Sequence, residues 1–141
     1  MITGRHRGGR PAFARWAWLF AVAFVLNALW EVAQLPLYRD AHGIPACLGA
    51  ATADAAIILA CVALATSTAT DRVSWPLLTT LLATVAIGIE LWALAVGGWA
   101  YASAMPTLAG IGLSPLAQLP ILGSVAVIAA RRRGGAAGLG A

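Results

Sequence analysis

Four long apolar runs organise the chain: Trp16 to Leu35, Ala46 to Ala65, Trp75 to Gly97 and Leu113 to Ala130. Each is about 18 to 23 residues, the length a helix needs to cross the hydrocarbon core of a bilayer. None alternates apolar with polar residues, and backbone groups in lipid must be satisfied within their own segment, so helices are favoured over strands. The pattern predicts an all-α polytopic membrane protein with four transmembrane helices. A few polar positions interrupt the runs: Asn27, Glu31 and Gln34 in the first, Asp54 in the second, Glu90 in the third, and Ser114 and Gln118 in the fourth.

Composition agrees with the pattern. Of 141 residues, 61% are hydrophobic and 10% charged, with a mean hydropathy of +0.85, too apolar for an ordinary water-soluble domain. Four helices with short connections make one domain over residues 15–133. Residues 1–14 and 134–141, rich in Gly, Arg and Ala, are expected to be disordered tails. Arg5, Arg7, Arg10 and Arg15 precede the first span, Arg72 lies between the second and third, and Arg131, Arg132 and Arg133 follow the fourth. Only Arg39 falls on the other side. The positive-inside rule then places both termini in the cytoplasm, in a bacterial-type inner (plasma) membrane. The net charge of +4 is accounted for by orientation, so a nucleic-acid partner is not expected.

Cys47 and Cys61 are ~21 Å apart along one predicted helix, beyond disulfide reach, and are read as small buried residues. The second span, ACLGAATADAAIILACVALA, is rich in small residues that permit close helix packing. The connection from Gly97 to Gly112, GGWAYASAMPTLAGIG, is too apolar for a freely solvated loop. It is expected either to pack at the membrane interface, anchored by its aromatic residues, or to re-enter the bundle.

Candidate chemistry lies with the acids. Glu31, Asp54 and Glu90 sit four, eight and seven residues from the same end of their spans, so alternating helix directions bring them to a similar depth. That depth is the outer half of the membrane in the orientation above. Acids facing lipid cost several kcal/mol, so these point inward and are the catalytic candidates. No basic residue lies at their level, and at least one is expected to keep its proton at neutral pH. Asn27, Glu31 and Gln34 share one helix face, and Gln118 and Ser114 supply hydrogen-bond partners from the fourth span. Trp30, Trp92, Trp99 and Tyr101 fall at the same level, with Met105 in the adjoining loop, and complete a candidate substrate-binding set with Asn27, Gln34 and Gln118. The plainer reading is that the polar side chains are glue between helices, worth about 1 kcal/mol each.

An un-ionised carboxyl in an apolar, aromatic pocket suits protonation of an isoprenoid double bond, because the acid supplies the proton and ring faces stabilise the resulting cation. The run from Glu90, ELWALAVGGWAYASAMPTLAGIGLSPLAQLPIL, resembles the second half of the small membrane-embedded lycopene cyclases of bacteria and fungi. In that family a helix carries an acid, a tryptophan follows nine residues later in a loop ending in glycine, and the next helix opens with proline before paired acids. Glu90, Trp99, Gly110 and Pro115 match that order. Ala117 and Gln118 stand where the paired acids are expected. The resemblance implies a carotenoid-type cyclase or isomerase acting without cofactor, with protonation left to Glu31, Glu90 or Asp54.

Two other classes fit the same residues: a small proton-coupled transporter subunit, or a non-catalytic accessory protein that binds lipid. The spans contain no histidine and the chain no nucleotide-binding glycine loop, so neither metal nor cofactor is expected. Membrane lipids, a hydrophobic small molecule, and a homodimeric or heteromeric membrane partner are the expected partners.

Overall fold

The computed structural model describes residues 12–39, 43–67 and 72–136. Four helices account for most of them: α1 (Ala12–Gln34), α2 (Ile44–Ala65), α3 (Trp75–Val96) and α4 (Leu113–Ala136). All four are long and apolar enough to cross a membrane, with mean hydropathies of 1.6 to 2.1. The chain is a multi-pass helical membrane protein. Helix α1 begins at Ala12 and α4 runs to Ala136, so each enters by three residues the segments expected to be tails. Helical hydrogen bonding carries past the ends of the apolar runs because Ala, Phe and Arg are compatible with it. The remainder of both expected tails lies outside the described residues.

Helix boundaries follow local chemistry. Pro45 and Pro76 occupy the first turns of α2 and α3, where a missing N–H costs nothing and the fixed φ suits a helix. Helix α3 stops at Gly97, in the left-handed region at φ 68°, and Gly98 N–H donates to the Ala93 carbonyl at 2.8 Å. Hydroxyls inside the helices are satisfied locally: Thr52 donates to Leu48 O at 2.7 Å and Ser124 to Pro120 O at 2.7 Å. Pro120 lies inside α4, where it withholds the N–H that would have closed on the Leu116 carbonyl.

The helices form a ring in which α1 packs on α2 and α4, and α3 on α4 and α2, while diagonal pairs barely touch. One half of this ring, beside the start of α1 and the end of α4, is a dry core. Leu19, Ala55, Ile58, Leu78, Leu82, Ala126 and Val127 fill it, and no charged side chain is buried there among the described residues. A short β1–β2 pair (Thr66–Ser67 with Arg72–Val73) joins α2 to α3 at that end. Large apolar side chains also cover the outside, including Val25, Leu29, Leu64, Leu91 and Ile128. That is the surface a helix bundle presents to lipid.

At the opposite end the α1–α2 and α3–α4 connections pair with each other through their described residues. Arg39 N–H donates to Ala100 O and Ala102 N–H to Leu37 O, both at 2.9 Å, around a bridge between Tyr38 and Tyr101. The second connection then forms a tight hairpin, β3 (Thr107–Leu108) and β4 (Ile111–Gly112). Its turn residues Ala109 and Gly110 have φ of 51° and 83°, the two positive values that match a two-residue turn to the twist of its strands. The 97–112 segment therefore lies across the end of the bundle and contains no helix of its own. A Cβ at Gly112 would stand 3.1 Å from both the Tyr101 ring and Pro115, so a side chain there would push the ring aside by a few tenths of an ångström.

Tight packing at the middle of the bundle rests on Gly123 of α4, where a Cβ would come within 2.7 Å of Leu82 and 3.4 Å of Ile58. Gly123→Val is expected to lower stability by about 1 to 3 kcal/mol, with Gly123→Ala at the lower end. Unfolding of the purified protein in detergent measures this, and an unchanged midpoint for Gly123→Val would contradict the three-helix contact.

Candidate functional site

The half of the ring beneath the paired loops holds a cavity of about 260 Å³. Glu31, Gln34, Asp54, Glu90, Trp99 and Gln118, drawn from all four helices and the α3–α4 connection, line it together with Tyr38. Most of the remaining wall is apolar, contributed by Ala50, Ile57, Ala86, Ile89 and Leu119 among others. The three acids predicted to share one depth thus meet in one space. No Arg, Lys or His lines the cavity to neutralise them, and the arginines within the spans, Arg15, Arg131 and Arg132, stand at the opposite end of the bundle.

A directed chain of amides organises two of the acids. Ser114 Oγ donates to Gln34 Oε1 at 3.0 Å, and Gln34 Nε2 donates to Gln118 Oε1 at 3.1 Å. With its oxygen so engaged, Gln118 turns its nitrogen towards α1 and α2. Nε2 lies 3.0 Å from Asn27 Oδ1, 2.8 Å from Glu31 Oε1 and 2.8 Å from Asp54 Oδ2. Asn27 faces the same way because its own Nδ2 donates to Ala23 O at 2.8 Å. Every amide orientation in the chain is set by the next one. A primary amide carries only two N–H bonds, yet three oxygens surround this nitrogen.

Glu90 is held separately. It is buried on α3 and accepts a hydrogen bond from the Tyr101 hydroxyl, which descends from the loop above. Tyr38 stands between the two groups, its ring 5.8 Å from that of Tyr101 and 6.3 Å from that of Trp99, the latter edge-on. Burial raises the Tyr38 phenol above its usual range, and the charges of Glu90, Glu31 and Asp54 add to the shift. Burial likewise raises Tyr101, reinforced by its hydrogen bond to Glu90. Both rings therefore remain hydrogen-bond donors at neutral pH.

The other predicted residues are placed differently. Asn27 is fully buried and faces Gln118, and Tyr101 is half-buried and donates to Glu90, so each supports a residue of the wall without being part of the lining. Met105 is buried in the α3–α4 connection, and Trp30 sits half-buried on α1; neither lines the cavity. Trp92 does not join the cluster: it is 66% exposed on the outside of α3. The reason is helical geometry, because two residues beyond the inward Glu90 is a rotation of about 200°, which points the ring away from the bundle. Tyr38 is not among the residues the sequence pattern selects, although a tyrosine two residues after Pro36 in a short connection is well placed to turn back inward. Trp30 Nε1 and Trp99 Nε1 are buried with no hydrogen-bond partner. In Trp99 that donor belongs to a ring lining the cavity.

The two tyrosines of the chain supply a direct test, since both belong to this assembly. The folded state keeps their protons above the free phenol pKa of about 10, so the unfolded state loses protons first and stability falls as the pH rises past about 10. Tyrosinate absorbance is expected to stay low through that pH and to rise only with unfolding; a full titration near pH 10 in folded protein would show exposed phenols. Gln118→Leu leaves the oxygens around Nε2 without their shared donor and is expected to cost roughly 1 to 3 kcal/mol in detergent unfolding. Unaltered stability in that variant would mean that the acids do not depend on the amide. Comparison of the chain with protein-family models, with curated proteins and with solved structures gave no match.

Proposed function

We propose that this chain binds one end of a hydrophobic, isoprenoid-like molecule and rearranges its double bonds, as a cyclase or isomerase, by proton transfer from the buried acids. The observation that carries this reading is the single Gln118 nitrogen facing three oxygens with two hydrogens. A proton shared between Glu31 and Asp54 completes the set and is held beside an apolar cavity. That proton adds to one carbon of a substrate double bond, leaving a cation on its neighbour. Removal of a proton from an adjacent carbon then returns an electron pair to form a new double bond, so the product is an isomer. Glu90, which accepts from Tyr101, is the base for that second step, and proton return from Glu90 to the Glu31 and Asp54 pair resets the site. The Tyr38 and Trp99 rings offer electron-rich faces to the intermediate cation.

Several features support this over a carrier. Among the described residues the buried polar side chains end at Asn27, and the hydroxyls of the other half, such as Ser124 and Thr66, are tied to carbonyls of their own helices. A carrier needs a path through that half. The resemblance of residues 90–122 to the lycopene cyclases adds to the same reading, and Gln118 in the family's acid position is here the residue that presents acids from other helices. The arginine pattern supports an orientation with both termini cytoplasmic and the cavity in the outer half of a bacterial-type plasma membrane.

Solvent deuterium tests the chemistry. The full chain is reconstituted in phosphatidylcholine vesicles with geranylgeraniol or a linear carotene and incubated in heavy water. Recovered lipid is expected to contain an isomer carrying deuterium on carbon, and Glu31→Gln combined with Asp54→Asn should reduce its formation by at least about 10²-fold. Equal incorporation by the double variant would overturn the assignment. Dependence on a proton gradient across the vesicles would favour transport instead.

A further inference from the structure

Tyr38 and Trp99 line the cavity on the side of the paired loops and Ala86 and Leu119 on the side of the core, and on one flank three alanines stand in its wall. Ala46, Ala50 and Ala53 of α2 line it and are at the same time exposed on the surface of the bundle. Facing them on α3 are Ala86 and Ile89. At the level of Ile58, Leu82 and Gly123 the helices meet tightly, whereas nearer the loops the exposed lining residues of α2, Ala46, Ala50 and Ala53, offer only methyl groups to this flank. A gap at this position faces sideways, into the part of the surroundings that lipid tails occupy.

Size adds a second argument. A cavity of about 260 Å³ is below the ~300–1,000 Å³ usual for sites that enclose a whole drug-sized ligand. A long molecule fits only if most of it stays outside. Apolar exterior beside the opening, apolar wall within it and polar groups only at the far side match a chain whose body remains among the lipids.

We infer that the α2–α3 flank is a lateral portal, through which the terminal unit of a long isoprenoid chain slides from the bilayer to the acids while the rest of the chain remains in lipid. This rests on the reading proposed above and adds to it the route, the direction of insertion and the residues that keep the route open. Ala50 and Ala53 are positioned as the sill, where a large side chain narrows the gap while Glu31, Asp54, Glu90 and Gln118 are themselves unchanged.

The test uses a geranylgeraniol analogue carrying a diazirine on its terminal isoprene unit, photolysed with the full chain in phosphatidylcholine vesicles, with labelled residues mapped by peptide mass spectrometry. In the wild type the label is expected on cavity residues such as Gln34 or Leu119. Ala50→Trp and, as a second plug, Ala53→Leu should cut that labelling by about tenfold or more, whereas Ala60→Trp, exposed on α2 outside the cavity lining, should leave it unchanged. Unfolding midpoints in detergent establish that the variants are folded. Wild-type labelling that persists in both plugged variants would overturn the portal and leave the function standing. Wild-type protein with no label in the cavity would overturn the isoprenoid reading itself. If the plugs instead turn a dimer into a monomer and labelling is unaffected, the alanine flank is a contact between copies of this chain and the inference falls.

Discussion

The structure depends on how carboxyl groups are kept inside an apolar bundle whose cavity has no basic residue in its lining. Glu31 and Asp54 come from different helices and are both brought to 2.8 Å from the Nε2 of Gln118 on a third. A lone ionisable group in such a place costs several kcal/mol, and hydrogen bonds to charged groups return roughly 1.5 to 3 kcal/mol each. The amide is therefore what lets two acids occupy one cavity. It is held in turn by Gln34 and Ser114, so that a directed series of donors, starting on α4 and crossing to α1 and back, ends on the carboxyl oxygens. Removing any member changes which atom the next one presents.

This arrangement divides the bundle. Towards the termini, the interhelical space is filled by leucine, isoleucine and alanine and by the close approach at Gly123, which makes that half a rigid base. Towards the loops, the same helices separate around polar groups and a cavity. The loops complete the site as well as closing it: Tyr101 supplies the donor for Glu90, Tyr38 and Trp99 supply rings, and main-chain pairing between the 35–39 and 99–102 segments fixes all three. Gly112 permits the Tyr101 ring to reach its place.

Much of this was legible from residue order. Helix boundaries agreed within a few residues, since long apolar runs bounded by Pro, Gly and Arg leave a chain in lipid almost no alternative to helices. The depth argument for Glu31, Asp54 and Glu90 also worked, because rise per residue is constant and turning back at each loop reverses direction. It worked least well for aromatic residues. Trp92 satisfied the depth criterion and faces outward, as its two-residue offset from Glu90 required, whereas Tyr38 was passed over in a short connection and stands at the centre of the site.

From the sequence alone came the class of molecule, the four crossings and the level at which acids occur, because these follow from hydropathy, segment length and helical rise, all of which are local. Only the tertiary structure decided that Gln118, read as a missing acid, is the common donor to two acids on other helices, that Glu90 is paired with a loop tyrosine instead, and that a flank of alanines leaves the cavity open to the side. Those outcomes depend on which helix faces are neighbours and how closely they approach, and rotation about a helix axis inside an all-apolar bundle leaves little trace in the order of residues.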